Sequence, residues 1–387
     1  MNTKILDKLC CPICKGELDL RSFAEESIEP SRREPTSNDD KESNRKSVDR
    51  LIEEGVLLCS ECGVWYPIFS YVPVMLVFET PFHRWFAERY AEQIHRLAEY
   101  EMPNFPPQPG ERSVQDTFTD QWDKVQDDEL SFLYSEEDLK ELNHKVWLKW
   151  LEGSRDEVRS ILDIGCGLGR ESLVLQEVAD GAEVFGIDLN FGLLQSGEVY
   201  KTRLGIHFVI ASLFHLPFRW SSFDLVYSQG VIMMSFSTVE AFRSIASYVR
   251  SGGYLFIWVY GLDDHLIRRG AKGILTRINY AAEGVVRPLI SRSPKVLRDT
   301  FFNTASVVLH PLTKMRVRHK EMWKLENTNH NLRDLLSHRY ARRHSYNEVL
   351  EWFENLGFKV IDIQSPAAYR RLFKKQLWGV GITGKKV

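Results

Sequence analysis

Apolar and polar positions change their spacing along the chain. Between residues 158 and 261, short runs of β-branched and aromatic residues alternate with stretches whose apolar positions recur at helical spacing. Strand-sized apolar runs separated by helices are typical of repeated βα units, which build a parallel sheet with helices on both faces. This region therefore predicts an α/β fold with a doubly wound, mostly parallel sheet.

The flanking patterns divide the rest of the chain. Helical spacing precedes the α/β region, a second mostly helical stretch follows its last predicted strand, and a helix with two strands ends the chain. We expect an N-terminal unit over residues 1–78 and a helical connector over residues 79–154. An α/β domain then covers residues 155–387 and carries a helical insertion over residues 262–340.

One segment of the N-terminal unit has almost no apolar residues. Residues 24–50 carry 14 charged residues, and only Ala24, Ile28 and Val48 are apolar. Such a composition buries too little apolar surface to offset the entropy lost on ordering. We expect residues 24–50 to be a disordered insertion.

Two C-x-x-C pairs flank that insertion. Cys11 and Cys14 form one pair, and Cys59 and Cys62 form the other. Pairs with this spacing place four thiolates around one Zn²⁺ ion, and a site with four protein ligands leaves no open position for catalysis. The spacing therefore predicts a structural zinc ribbon, although 44 residues separate the pairs; the alternative is unligated thiols. Loop-closure entropy grows slowly with length, so the long separation is tolerated.

The residues around the cysteines resemble a known family. Cys11-Pro-Ile-Cys-Lys-Gly, Cys59-Ser-Glu-Cys-Gly and the apolar tail 72–78 are similar to the small zinc-ribbon activator subunit of tRNA, rRNA and release-factor methyltransferases. The resemblance implies a module that docks on a methyltransferase domain, here within the same chain. It also implies that the tail 72–78 is a strand packed on that neighbour.

A glycine loop follows the first strand of the α/β region. Asp163-Ile-Gly165-Cys-Gly167-Leu-Gly169 joins an apolar strand to a helix, and a second strand ends at Asp188. Glycines let a backbone approach a ligand closely, and a carboxylate at a strand end suits ribose hydroxyls. The G-x-G-x-G spacing differs from the dinucleotide fingerprint, which argues against NAD. Together these elements predict an adenosine site at the carboxyl edge of the sheet.

Residues 155–262 resemble class I S-adenosylmethionine-dependent methyltransferases, with a seven-stranded Rossmann-like sheet. The resemblance rests on the glycine loop, Ala211-Ser-Leu-Phe-His-Leu-Pro-Phe, Ser222-Phe-Asp-Leu-Val and Ser251-Gly-Gly-Tyr. The family usually has Asp where this chain has Ser212. The resemblance implies that S-adenosylmethionine is held at its methionine part by Asp163, Gly165, Gly167 and Gly169. It implies that Asp188 binds the ribose and that Leu189, Ser212 and Leu213 contact the adenine. Gln229 lies where the acceptor should meet the cofactor.

The sequence does not identify a catalytic base. Met233 and Met234 occupy the place where many relatives carry His, and they read equally well as a pocket wall or as core residues. His215, His265 and His344 are each more typical of structural or surface histidines. Phe118 and Trp122 lie four residues apart on a predicted helix, which suits either a lid over the cofactor or a contact with the core.

Charge is distributed unevenly along the chain. The 50 basic and 53 acidic residues give a net charge of −3, yet residues 265–320 contain twelve basic and two acidic residues, a net charge of +10. This basic amphipathic stretch favours an anionic partner: an anionic acceptor, an RNA backbone or a membrane surface. No apolar run has transmembrane length, the N-terminus lacks a signal-peptide pattern, and paired cysteines fit a reducing compartment, so we expect a cytoplasmic protein.

We therefore predict an S-adenosylmethionine-dependent methyltransferase that acts on a hydroxyl or similar group of a small or lipid-linked acceptor. Peripheral membrane contact through residues 265–320 stays one of the open roles of that stretch, beside contact with RNA or with an anionic acceptor. Two alternatives remain. One is methylation of tRNA or rRNA, in which the ribbon and the basic stretch contact phosphates. The other is a scaffold that binds the cofactor without turnover.

Overall fold

The computed structural model describes residues 1–28, 49–122, 134–203, 205–262, 270–315, 317, 320–374 and 378–387. Its strands are β1 (Asp19–Ile28), β2 (Asp49–Cys59), β3 (Val64–Phe69), β4 (Val72–Pro73), β5 (Ser160–Ile164), β6 (Glu183–Asp188), β7 (Ile206–Ile210), β8 (Phe223–Gln229), β9 (Val249–Val259), β10 (Phe358–Ile363) and β11 (Val380–Lys386). Its α-helices are α1 (Pro81–Arg89), α2 (Ala91–His95), α3 (Glu111–Trp122), α4 (Glu136–Leu142), α5 (Arg170–Val178), α6 (Leu193–Tyr200), α7 (Thr238–Ala246), α8 (Ala271–Ser291), α9 (Lys295–Lys314), α10 (Leu325–Leu336), α11 (Tyr346–Asn355) and α12 (Pro366–Phe373).

A seven-stranded sheet forms the centre of the α/β domain. Its order is β10-β11-β9-β8-β5-β6-β7, with β5 to β9 parallel and β11 antiparallel to both of its neighbours. Every residue of β5 is buried, as expected for a central strand that is covered on both faces. The predicted mostly parallel, seven-stranded sheet is confirmed.

The N-terminal unit is a four-stranded antiparallel sheet in the order β1-β2-β3-β4. The prediction of disorder over residues 24–50 is wrong at both ends, because Ser27 pairs with Arg50 and Ile28 pairs with Asp49 in the β1–β2 hairpin, which also includes Ala24. Charged side chains on a hairpin do not prevent backbone pairing, and composition alone does not reveal that pairing. Residues 29–48 lie outside the described residues.

The N-terminal unit docks on the edge strand β7. The backbone N–H of Met75 donates to the carbonyl oxygen of Ile210 over 2.7 Å, and Val74 forms a parallel bridge with the same residue. Val72 and residues 74–78 are fully buried. The Nζ of Lys15 adds a 2.6 Å hydrogen bond to the carbonyl oxygen of Leu216. The tail 72–78 packs on the neighbouring domain as predicted, but its strand is limited to β4 and the bridge that follows.

The insertion forms a helical cap of α8, α9 and α10. Arg333 of α10 pairs with Asp299 of α9 over 2.8 Å, and Arg287 of α8 donates to the carbonyl oxygen of Leu335 over 3.0 Å. Large aliphatic side chains of α8 and α9 remain exposed, from 37 % at Leu309 to 76 % at Val296. None of the described helices has both the length and the apolar content needed to cross a bilayer.

Candidate functional site

The glycine loop turns sharply between β5 and α5. Gly165, Gly167 and Gly169 have φ values of +77°, +59° and +87°, a backbone region that residues with a Cβ rarely occupy. A Cβ on Gly165 would lie 2.2 Å from Val231 Cγ2, and one on Gly167 would lie 2.8 Å from the Trp122 ring. The loop therefore requires glycine both for its conformation and for the close approach of its neighbours.

Asp188 ends β6 directly beside this loop. Its Oδ2 accepts the N–H of Gly167 over 2.9 Å, and its Oδ1 accepts the N–H of Asn190 over 2.9 Å. Burial raises the pKa of Asp188, while these backbone donors oppose the rise. The two bonds fix the orientation of a carboxylate that lines the pocket.

Two further acids lie buried behind the loop. Asp163 accepts the Ser172 hydroxyl over 2.7 Å, and burial raises the pKa of Asp163 to about 8. Glu171 accepts the Tyr227 hydroxyl over 2.8 Å, and burial raises its pKa from the ordinary 4.5 to about 7. With its amide nitrogen turned toward Glu171, Gln229 donates to both carboxylate oxygens, over 2.6 and 2.8 Å. Neither acid lines the pocket, but Glu171 orients the Gln229 side chain, which does.

Ser212 follows β7, where the sequence resemblance leads one to expect Asp. Its hydroxyl donates to Oε1 of Glu111, the first residue of α3, and Glu111 Oε2 accepts the N–H of Gln108 over 2.8 Å. Glu111 is only 5 % exposed, and burial raises the pKa of its carboxyl group. A carboxylate therefore occupies this end of the site, contributed by the connector.

These elements surround one pocket of about 900 Å³, a volume that includes its open mouth. Five of the nine predicted cofactor residues line it: Gly165, Asp188, Leu189, Leu213 and Gln229. Asp163, Gly167, Gly169 and Ser212 lie behind its wall. Phe118 and Trp122 also line the pocket, and Phe118 stacks on His338 with ring centroids 4.2 Å apart. Both aromatic residues thus contact the cap as well as the pocket.

The opposite side of the pocket is mainly apolar. Val231, Met234 and Phe236 line it together with one carboxylate, Asp334 of α10. The Tyr260 hydroxyl donates to Asp334 Oδ2 over 3.4 Å, and His338 Nε2 lies 3.5 Å from Asp334 Oδ1.

The residues considered as bases or pocket wall have different surroundings. Met233 is fully buried in the core and does not line the pocket, unlike Met234. His344 is bonded to Thr238 Oγ1 and Glu348 Oε1, each over 2.9 Å, as a structural histidine. His215 packs against Phe105 outside the pocket lining, and His265 lies outside the described residues.

Sequence reasoning missed Glu111 and Asp334. Each lies far from the glycine loop along the chain and reaches the pocket through tertiary packing. No local motif marks either position; the Pro-rich turn before Glu111 shows only where a helix begins.

The four predicted metal ligands converge. The sulfur atoms of Cys11, Cys14, Cys59 and Cys62 all lie within 4.8 Å of one another. The Cys11–Cys62 and Cys14–Cys59 sulfur separations are 3.9 and 3.5 Å. Tetrahedral zinc with bonds of about 2.3 Å would place its sulfurs about 3.8 Å apart, so the cluster fits this ion.

Comparison with known proteins identifies two domains. The Methyltransferase domain family matches residues 162–257, and the Trm112p-like protein family matches residues 2–69.

Individual relatives match parts of this chain. A malonyl-[acyl-carrier protein] O-methyltransferase of Legionella pneumophila is 34 % identical over 106 residues, 27 % of this chain and 37 % of that protein. A tRNA U34 carboxymethyltransferase of Idiomarina loihiensis is 31 % identical over 105 residues, 26 % of this chain and 32 % of that protein. The chain thus spans about a third of the length of these relatives.

Among solved structures, a Burkholderia thailandensis 1,6-didemethyltoxoflavin-N1-methyltransferase with bound S-adenosylhomocysteine has a TM-score of 0.42 and 14 % identity, covering 74 % of this chain and 93 % of that one. Two stretches of this chain, residues 162–257 and residues 2–69, are thus similar to the methyltransferase domain family and to the Trm112p-like family, respectively.

Proposed function

We propose that this protein is an S-adenosylmethionine-dependent methyltransferase that acts on a hydroxyl or similar group of a small or lipid-linked acceptor. One observation carries the proposal: the glycine loop, Asp188 and the apolar residues after β7 converge on one pocket at the carboxyl edge of the sheet. In open α/β sheets this edge is where ligands bind.

The residues of the pocket fit the parts of the cofactor. The loop made by Gly165, Gly167 and Gly169, with Asp163 and Gln229 beside it, would hold the methionine part, and a Cβ on Gly165 would collide with Val231 of the pocket lining. Asp188 would accept hydrogen bonds from the ribose hydroxyls. Leu189 would pack on the adenine ring, and Ser212 and Leu213 would lie at the edge of that ring. When bound, the cofactor supplies a methyl group on an already activated sulfonium centre. The protein aligns the acceptor and excludes water.

The acceptor side favours a ligand with an apolar body. Val231, Met234 and Phe236 provide apolar contact, and Asp334 is the carboxylate on that side among the described lining residues. The Tyr260 hydroxyl donates a hydrogen bond to this carboxylate, and the His338 ring lies beside it. Asp334 accepts the proton of the acceptor hydroxyl as the oxygen attacks.

Calorimetric titration with S-adenosylhomocysteine tests the cofactor site. We expect binding by the wild type and its loss in Asp188→Ala, because the ribose hydroxyls lose their acceptor. Asp156→Ala removes a fully exposed carboxylate away from the pocket and should bind like the wild type. Unchanged affinity in Asp188→Ala would contradict the assignment.

Turnover is tested with labelled methyl donor and fractionated cell extract. We expect Asp334→Asn to lose label transfer while it keeps its affinity for S-adenosylhomocysteine. Transfer to RNA would favour the tRNA or rRNA alternative, and no transfer to any fraction would favour the scaffold.

The cap supports a membrane-bound source of acceptor. Ile274, Ile278, Val285 and Leu289 form an exposed stripe at helical spacing on α8, within a segment of net charge +10. Exposed aliphatic side chains beside basic ones suit an anionic lipid surface. RNA would instead use aromatic side chains for stacking, and in the described parts of α8 and α9 no aromatic residue is exposed. Apposing two copies of this basic surface would be repulsive.

Vesicle co-sedimentation tests this contact. We expect binding to phosphatidylglycerol-containing vesicles, weakened by salt, and little binding to phosphatidylcholine alone. The Ile274→Asp/Ile278→Asp variant should lose most of the binding, whereas Val199→Asp on the exposed face of α6 should not. Equal vesicle binding by the Ile274→Asp/Ile278→Asp and Val199→Asp variants would exclude the lipid contact. A dimer of the wild type that Ile274→Asp/Ile278→Asp disrupts would also contradict it.

We also propose that Zn²⁺ occupies the cysteine cluster in a structural role, because four thiolates leave no open position. The Tyr66 hydroxyl lies 3.4 Å from Cys11 Sγ and supports the cluster from outside. Metal analysis of the purified protein should find one zinc per chain. A cytoplasmic location remains a prediction.

A further inference from the structure

The carboxylate of Glu111 is buried at the base-binding end of the pocket. Its partners among the described contacts are two neutral donors, the Ser212 hydroxyl and the Gln108 N–H. Within the described part of the chain, its recorded hydrogen bonds come from these two donors and not from a Lys, Arg or His side chain. A buried carboxylate is costly unless its oxygens receive hydrogen bonds. Each oxygen accepts one bond here and retains a further lone pair, and the residue lines the open pocket.

The position of Glu111 along the site is set by adjacent strands. Asp188 ends β6, and its partner in the neighbouring strand is Ile210 at the end of β7. Ala211 and Leu213, which follow β7, line the pocket beside Leu189, which follows Asp188. A nucleoside whose ribose is held by Asp188 therefore extends its base toward the residues after β7.

The backbone before Glu111 is held by the cap. Gly110 has φ +76°, and a Cβ there would lie 2.9 Å from the Tyr340 hydroxyl oxygen. That hydroxyl donates to the carbonyl oxygen of Pro109 over 3.2 Å. The Tyr340 side chain thus holds the turn from which α3 and its first carboxylate start.

We propose that Glu111 accepts a hydrogen bond from the exocyclic amino group of adenine and thereby selects adenine over a 6-oxopurine, an inference that rests on the proposed cofactor site. An ionised carboxylate only accepts hydrogen bonds, and the adenine amino group only donates them. A 6-oxopurine presents a carbonyl oxygen at the same place, and that oxygen faces the carboxylate with no proton between them. Ser212, with its short hydroxyl, acts as a positioning residue for Glu111.

Calorimetric titration with two ligands tests the inference: S-adenosylhomocysteine and the analogue with hypoxanthine in place of adenine. The wild type should prefer the adenine ligand by about 10- to 100-fold, because a site that accepts a hydrogen bond from the ligand binds weakly a ligand that lacks the donor. In Glu111→Gln the side-chain amide can donate to the 6-oxo group. We expect weaker binding of the adenine ligand, tighter binding of the hypoxanthine ligand, and a preference reduced or reversed.

The outcomes separate the two proposals. A wild type that binds both ligands equally overturns the role of Glu111 without recourse to any variant. An unchanged preference in a folded Glu111→Gln protein does the same. A wild type that binds neither ligand overturns the cofactor site itself and the inference with it.

Discussion

The docking of the ribbon on the α/β domain depends on a glycine. Gly197 lies inside α6, and a Cβ there would stand 1.9 Å from the carbonyl oxygen of Ser70 and 2.6 Å from Val72 Cγ2. Ser70 and Tyr71 form the turn before β4 with φ values of +48° and +66°, so this turn has little freedom to move. Relief of the contact would require a backbone shift of about 1.5 Å, since ordinary contacts begin near 3.4 Å.

We therefore expect Gly197→Ala to destabilise the protein. Alanine inside a helix is usually favoured over glycine by about 1 kcal/mol, whereas overpacking against a constrained neighbour costs about 1–3 kcal/mol. The contact here is with backbone, which places the cost at the upper end and predicts a net loss of about 1–2 kcal/mol.

Gly284→Ala provides the matched control. Gly284 lies inside α8, and a Cβ added there would meet no atom within 4 Å, so only the helical gain of about 1 kcal/mol applies. Thermal and urea unfolding should give opposite signs for the two variants. Hydrogen exchange at the Met75 amide, which bonds to Ile210, should accelerate in Gly197→Ala. A Gly197→Ala protein as stable as the wild type would refute the predicted clash.

Three further outcomes are expected. Because burial holds the pKa of Glu171 at about 7 instead of 4.5, the folded state binds more protons between these values, so stability is full at low pH and declines as pH rises to about 7. Urea unfolding of the ligand-free protein at pH 5.5 and 8.0 measures the free energy of unfolding that is lost between these pH values. We expect this loss to be about 2 kcal/mol smaller in Glu171→Gln than in the wild type; the same loss in both proteins would contradict the prediction. Trp122→Ala should weaken S-adenosylhomocysteine binding about tenfold in calorimetry through lost aromatic contact, whereas Trp220→Ala, at an exposed site, should not. Chelation should remove one zinc per chain and lower the melting temperature; Cys10→Ser, at a cysteine outside the cluster, should leave the zinc content at one per chain.

Local patterns predicted the parts of the fold that local sequence determines. The buried run of β5, the glycine loop and Asp188 are neighbours in the chain or lie at the ends of adjacent strands, so spacing alone located them. The Glu111–Ser212 contact joins residues 101 positions apart. A single sequence carries no signal for such a pair. Ser212 taken alone showed only that the carboxylate usual at this position in the family is absent. The hairpin at Ala24 shows the same limit, because its order comes from backbone pairing with β2.

The ribbon contacts the strand that leads to the proposed cofactor site, although none of its described residues lines the pocket. β7 is an edge strand, and an uncovered edge leaves backbone N–H and carbonyl groups unpaired. Met75 pairs with the last residue of β7, Ile210, directly before Ala211 and Ser212. The contact of Met75 with the end of β7 therefore also holds the residues against which adenine would pack. A separate activator must find this edge by diffusion, whereas the fused ribbon is present at high effective concentration. Fusion thus makes the order of the base-binding wall independent of protein concentration.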